Sequence, residues 1–173
     1  EKWSKLLSAE KKPVIGINWK GNRPDMIKKN RNIPTKLFRE LVNNSSANFV
    51  SIQRGSKAYE IEDIFSSKGC LKVQPRVSEI ADSDTSESFL EYASIIANCN
   101  IVITTDTTLA HLAAGMGVET WILLEKTPEW FWGLDSKTTF WYPCARLFRQ
   151  TNRNEWGELM GNIAQELEAI VGT

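Results

Sequence analysis

The sequence predicts an α/β fold: one domain on a mostly parallel sheet with helices on both faces. Two observations predict it. Short apolar runs rich in β-branched residues recur at intervals of a few tens of residues. They are continuous rather than alternating, as strands covered on both faces must be. Amphipathic helical patterns lie between them, so strand, helix and strand repeat as βαβ units. The length agrees: 173 residues, 42% of them hydrophobic, suffice for one domain with a substantial core and not for two.

In chain order, residues 1–12 ("EKWSKLLSAEKK") form a lead-in segment, too short and too charged to be a signal peptide. The chain starts at Glu1 rather than methionine, and a piece of a longer protein is expected. The strands are assigned to "VIGIN" (14–18), "NFVSI" (48–52), "LKVQ" (71–74), "NIVIT" (100–104) and "TWILL" (120–124). Pro34 opens a helix with Leu37, Phe38 and Leu41 on one face. A second helix covers about 88–97, with Phe89, Ala93, Ile96 and Ala97 inward. A third begins at Thr107 and Thr108, with Leu109, Leu112, Ala113 and Met116 as its buried stripe. The last helix occupies 154–171. Asn154 is placed to cap it, Glu155 and Glu158 suit its positive end, and Trp156, Leu159, Met160, Ile163, Leu167 and Ile170 make its apolar stripe. That stripe calls for a partner, either this domain's own sheet or a neighbouring domain.

Several functions are excluded early. Lys+Arg and Asp+Glu number 21 each, so no global field recruits nucleic acid or a membrane surface. No segment approaches the roughly 20 apolar residues that span a bilayer. Cys70, Cys99 and Cys144 form no C-x-x-C pair, and their odd number predicts buried, reduced thiols in a cytoplasmic protein. No G-x-G-x-x-G follows the first strand and no Walker A motif is present, which argues against ordinary dinucleotide or P-loop chemistry. Asp82-Ser83-Asp84 has the D-x-D form of a metal motif. It precedes a helix rather than closing a strand, so Asp84, Thr85 and Ser86 are read as helix-start residues. Neither a metal nor a cofactor is expected.

Three polar elements follow three of the strands, and a parallel sheet would gather them at its carboxyl edge. The first, "NWKGNRPDMIKKNRNIP" (18–34), carries Lys20, Arg23, Lys28, Lys29 and Arg31 against Asp25 alone. The second is Gln53-Arg54-Gly55. The third is "TTDTTLAHLAAGMG" (104–117), where Thr107 and Thr108 open a helix whose unpaired N–H groups favour an anion. His111, the chain's one histidine, points away from the buried stripe, either to the surface or into the same pocket with Ala110 and Ala114 leaving room. Asp106 repels a phosphate, so it either caps the helix or accepts hydrogen bonds from hydroxyl groups. A cationic loop, an anion-favouring helix start and a carboxylate suited to polyols together suggest a sugar on a nucleotide diphosphate. The aromatic segment "EWFWGLDSKTTFWYP" is read as core or a folded lid, with stacking on a sugar or base as the alternative.

"VIGINWKGN…RNIP", "SIQ", "ITTDTTLAHLAAGMG" and "FWYPCARLFRQ…NEW" resemble the donor half of family 9 glycosyltransferases, the heptosyltransferase-like proteins. The likeness is strongest to members fused behind tetratricopeptide repeats, and it runs from Pro13 to the last helix. It implies a Rossmann-like domain, the C-terminal half of a GT-B enzyme, with 1–173 as a single nucleotide-sugar-binding unit. The partners implied are a nucleotide-diphosphate sugar, a missing N-terminal acceptor domain and the repeats. By the same resemblance Lys20 and Arg31 face the diphosphate, Gln53 approaches the nucleoside, and Asp106, Thr107, Thr108 and His111 surround the sugar diphosphate. Asp106, Lys20 and Arg31 then form the catalytic set, and Asn18, Gln53, Thr107, Thr108 and His111 bind substrate. The general base comes from the absent half, so the fragment alone is expected to be inactive. One departure stands out: Phe131 lies between Trp130 and Trp132 where the repeat-fused members usually carry arginine. It supports the alternative of a non-catalytic sensing or scaffolding module. A nucleotide-sugar epimerase is disfavoured by the lack of its acid/base set.

Overall fold

The computed structural model describes residues 2–7, 12–21, 31–55, 58–66 and 86–172. Its elements are α1 (Lys2–Leu7), β1 (Val14–Asn18), α2 (Thr35–Asn44), β2 (Asn48–Ser51), α3 (Ala58–Ile64), α4 (Ser86–Ile96), β3 (Ile101–Thr105), α5 (Thr108–Gly115), β4 (Glu119–Leu124), a 3-10 turn at Trp130–Trp132, β5 (Ala145–Arg149) and α6 (Trp156–Val171). The strands pair in parallel in the order β2-β1-β3-β4-β5. The α/β parallel fold expected from the sequence is therefore the fold found. The strand assigned to 71–74, Cys70 and the Asp82-Ser83-Asp84 run lie outside the described residues.

Both faces of the sheet are covered, which is why the strand sequences do not alternate. On one face Ile15, Ile17, Ile103, Trp121 and Leu123 pack with Phe38 and Leu41 of α2, Ile61 of α3, and α6. On the other, Val14, Val50 and Val102 meet Trp3 and Leu7 of α1, Tyr92 and Ile95 of α4, and Leu109 and Ala113 of α5. A third cluster joins Ala110 and Ala114 of α5 to Ile122, Leu124, Leu147 and Trp132. At Gly16 the backbone passes so close to the segment after α4 that a Cβ would come within 3.1 Å of Cys99 Sγ.

Several local expectations change. A strand at Ala145–Arg149, unassigned from the sequence, adds to β4 with Leu147 beside Ile122. Its two arginines and half-buried residues disguise it, because it forms the outer edge. The inward face of α4 is Tyr92, Ile95 and Ile96, whereas Phe89 is exposed at the surface. The α5 helix buries Leu109, Ala110, Ala113 and Ala114, with Met116 exposed. Two adjacent stripes are covered because α5 wedges between two clusters, and alanines let it lie close to the sheet. Asn154 does not cap α6; it sits in the left-handed region at φ 63°, which asparagine tolerates, and Glu155 takes the N-cap position. The α6 stripe packs on this domain's own sheet and on α2, with Trp156, Leu159, Met160, Ile163 and Leu167 buried and Ile170 exposed. Each such side chain contributes about 1.5–3 kcal/mol of transfer free energy. The lead-in residues include a packed helix: the Trp3 indole N–H donates to Glu91 on α4.

Candidate functional site

The strand order creates the site. From β1 the described chain continues to β2 on one side, then reaches β3 on the other side of β1. Beyond the carboxyl ends of β1 and β3 a crevice opens, the place where α/β sheets bind ligands. Asn18 closes β1 opposite Thr104 of β3. Its side chain is almost fully buried and acts as a hub. Oδ1 accepts from Thr104 Oγ1 at 3.0 Å, Thr107 Oγ1 at 3.3 Å and Thr105 Oγ1 at 3.4 Å. Nδ2 donates to Gln53 Oε1 at 2.9 Å.

Gln53 fastens the β1 and β2 ends together. Its Oε1 also accepts from the backbone N–H groups of Trp19 (3.0 Å) and Lys20 (2.9 Å). Its Nε2 donates to the carbonyls of Lys20 (3.1 Å) and Arg54 (2.8 Å). Every polar atom of this buried amide is already engaged, so the geometry gives Gln53 a bracing role. Gly55, in the left-handed region at φ 61°, lets the chain turn immediately afterwards.

At the start of α5, Thr107 is the N-cap residue, with φ −140° and ψ 170°, and makes no side-chain cap hydrogen bond. The first inward bond of the helix runs from Ala110 N to Thr107 O at 3.0 Å. The N–H groups of Thr108 and Leu109 therefore point out of the helix end, toward the crevice. Asp106 precedes the cap, so capping is not its role. No described residue hydrogen-bonds its half-buried carboxylate. Its carbonyl instead accepts from Arg31 Nη1 at 3.1 Å. Arg31 reaches there across Gly21, where a Cβ would stand 3.0 Å from Nη2. Any larger residue there would push the guanidinium aside by a few tenths of an ångström.

A cavity of about 80 Å³ opens here, lined by Asn18, Lys20, Gly21, Gln53, Arg54, Thr107, Thr108 and Leu109, with Phe89 and Tyr92 of α4 as an apolar wall; Arg31 and Asp106 adjoin lining residues but do not line it themselves. Burial pushes the Tyr92 phenol up from its ordinary value, and the Arg54 charge partly offsets that. Lys20 is not a bare cation: Nζ contacts both carboxylate oxygens of Glu60 on α3, at 2.7 and 2.5 Å. Sequence reasoning missed Glu60, and no local signal pairs residues 40 positions apart. The rest of the cationic loop, 22–30, lies outside the described residues.

His111 does not join this cavity. One turn along α5 it faces the other way, into the aromatic segment. Its ring stacks on Trp132 at 5.2 Å and 20°, Phe131 lies 5.6 Å away, and Nδ1 meets Tyr142 Oη at 3.0 Å. Of the two sequence readings, neither open surface nor shared pocket describes it; it is half-buried in an aromatic cluster. The aromatic segment itself divides. Trp132 is buried, while Trp130 and Phe140 are 81% and 95% exposed. Cys99 is an inert core thiol whose pKa burial pushes up to about 12. Cys144 donates to the Ala114 carbonyl at 3.2 Å. Among the described residues no cluster of His, Cys, Asp and Glu could hold a metal ion, and no helix is long and apolar enough to cross a membrane.

Among solved structures, the chain superimposes on the crystal structure of a glycosyl transferase family 9 protein from Veillonella parvula DSM 2008. The TM-score is 0.60 at 14% identity, over 93% of this chain and 44% of that one. It also superimposes on E. coli ADP-heptose LPS heptosyltransferase II, with a TM-score of 0.65 at 16% identity, over 98% of this chain and 50% of that one. The chain spans about half the length of these proteins, and the likeness is one of fold. No family model matches it, and no curated protein matches it in sequence.

Proposed function

We propose that this chain is the donor-binding domain of a GT-B glycosyltransferase and holds a nucleotide-diphosphate sugar for transfer to an acceptor. One observation carries the reading: at the β1–β3 switch point the outward-pointing start of α5 is preceded by Asp106, whose backbone carbonyl holds Arg31. The N–H groups of Thr108 and Leu109, with Lys20 and Arg31, suit the diphosphate and its growing charge as the leaving group departs. The Asp106 carboxylate suits sugar hydroxyls, which donate to it. A sugar joined to a diphosphate asks for both environments side by side. The general base and the acceptor belong to a second domain, and the cytoplasmic setting and repeat fusion form part of the same proposal.

A non-catalytic sensing module is the second reading. It is favoured by Phe131, which closes an aromatic box on His111 where the resembling enzymes usually place arginine. Titrating the 173-residue chain by calorimetry with ADP-, UDP- and GDP-sugars tests the first reading. One nucleotide series is expected to bind, and Arg31→Ala is expected to weaken it by about 1.5–3 kcal/mol. Absence of binding across all three series would remove the donor-site reading. Tight binding that no assembled full-length protein converts to transfer would favour the sensing module.

A further inference from the structure

We propose that Glu60 is the counter-ion a diphosphate must displace from Lys20, and that this exchange makes the site select diphosphates over single phosphates. The inference rests on the donor-site reading above. Lys20 lines the cavity together with Thr107 and Thr108, whereas Glu60, on α3, does not line it. Two carboxylate oxygens hold the ammonium at 2.7 and 2.5 Å. The two side chains are only 21% and 13% exposed, so solvent screens the pair weakly. Such a pair is costly to break, because separating it strands a charge in a sheltered place.

The consequence is a threshold. An anion that meets Lys20 alone replaces one carboxylate contact with another of like charge and gains little. An anion long enough to reach Lys20, the α5 start and Arg31 together recovers the loss through the additional contacts. Arg31 is within that span, since its guanidinium packs on Gly21, itself a cavity residue. Glu60 thus sets which anions bind without touching them.

The test is calorimetry with inorganic pyrophosphate and inorganic phosphate on the 173-residue chain, on Glu60→Gln, on Lys20→Met and on the double variant, each checked for folding by circular dichroism. Wild type is expected to bind pyrophosphate and to discriminate strongly against phosphate. Glu60→Gln is expected to tighten both anions by roughly tenfold, the scale of one charge-assisted hydrogen bond, and to narrow the discrimination. Glu60→Ala gives the same sign should the glutamine retain a hydrogen bond to Lys20. In the Lys20→Met background the gain disappears, because nothing remains to be released. An unchanged affinity in Glu60→Gln and Glu60→Ala overturns the proposal. So does a gain of equal size without Lys20, which reports simple repulsion through space. If none of the folded proteins binds pyrophosphate, the donor-site reading falls as well, an outcome distinct from binding without a Glu60 effect.

Discussion

Replacing Gln53 by leucine separates a brace from a ligand contact. The side chain holds five hydrogen bonds: three accepted at Oε1 and two donated from Nε2. Leucine fills a similar volume and satisfies none of them. The partners differ in what happens next. Lys20 is half-buried, so water can reach part of what is lost there. Trp19 and Asn18 are each only 1% exposed, and their N–H groups are stranded. A stranded buried donor costs about 1–3 kcal/mol, so two of them place the loss at about 2–6 kcal/mol. That is a large share of the roughly 5–15 kcal/mol that holds a domain together. Gln53→Glu keeps the acceptor for the three N–H donors but turns a carboxylate oxygen toward the Lys20 and Arg54 carbonyls, so it is expected to destabilise as well, and less at low pH, where the protonated carboxyl can donate to one of them. Urea unfolding of wild type and both variants, fitted with a shared m-value, measures both losses. Should Gln53→Leu remain within about 0.5 kcal/mol of wild type while nucleotide affinity collapses, the bracing account is wrong and Gln53 reads a ligand.

Asp106→Asn is expected to leave stability within about 0.5 kcal/mol, because Thr107 rather than Asp106 occupies the cap, and to weaken a sugar-nucleotide by roughly 1–2 kcal/mol. The bare nucleoside diphosphate should bind unchanged or slightly tighter; equal losses for both ligands in paired calorimetry would show that Asp106 reads no sugar. The raised Cys99 pKa predicts an alkaline loss of stability. Below its ordinary value of 9.0 both states hold the proton, and above it the unfolded state releases it while the fold retains it up to about 12. Stability from this group therefore falls by about 1.4 kcal/mol per pH unit across that window, and Cys99→Ala should remove this component from the unfolding free energy measured against pH. A slope unaltered in the variant refutes it. Trp3→Ala should cost about 3–5 kcal/mol, since Trp3 is 4% exposed against α4. An unchanged melting curve would mean α1 is a detachable lead-in.

The sequence by itself determined the fold class and the edge where polar residues gather. Unbroken apolar runs such as "VIGIN" leave no polar face for water, and a strand buried on both sides belongs in a sheet covered by helices. Parallel connections then bring the residues after each strand to one edge, which is why Asn18, Lys20, Gln53 and Thr107 are neighbours. Pro34 and the α6 stripe were legible for the same local reason: helix starts and apolar periodicity are written within a few turns of chain. Tertiary structure alone decided what each polar group does. Gln53 is spent on bracing because the β1 and β2 ends approach within hydrogen-bond reach, and Lys20 is paired because α3 delivers Glu60 from 40 residues away. The orientation of His111 was equally out of reach. Helical spacing says which residues share a face of α5, but here two faces are buried, and the chain returning through Trp132 and Tyr142 claimed the third. Periodicity is a property of one helix, whereas a side chain's partner is set by whatever the rest of the chain packs against it.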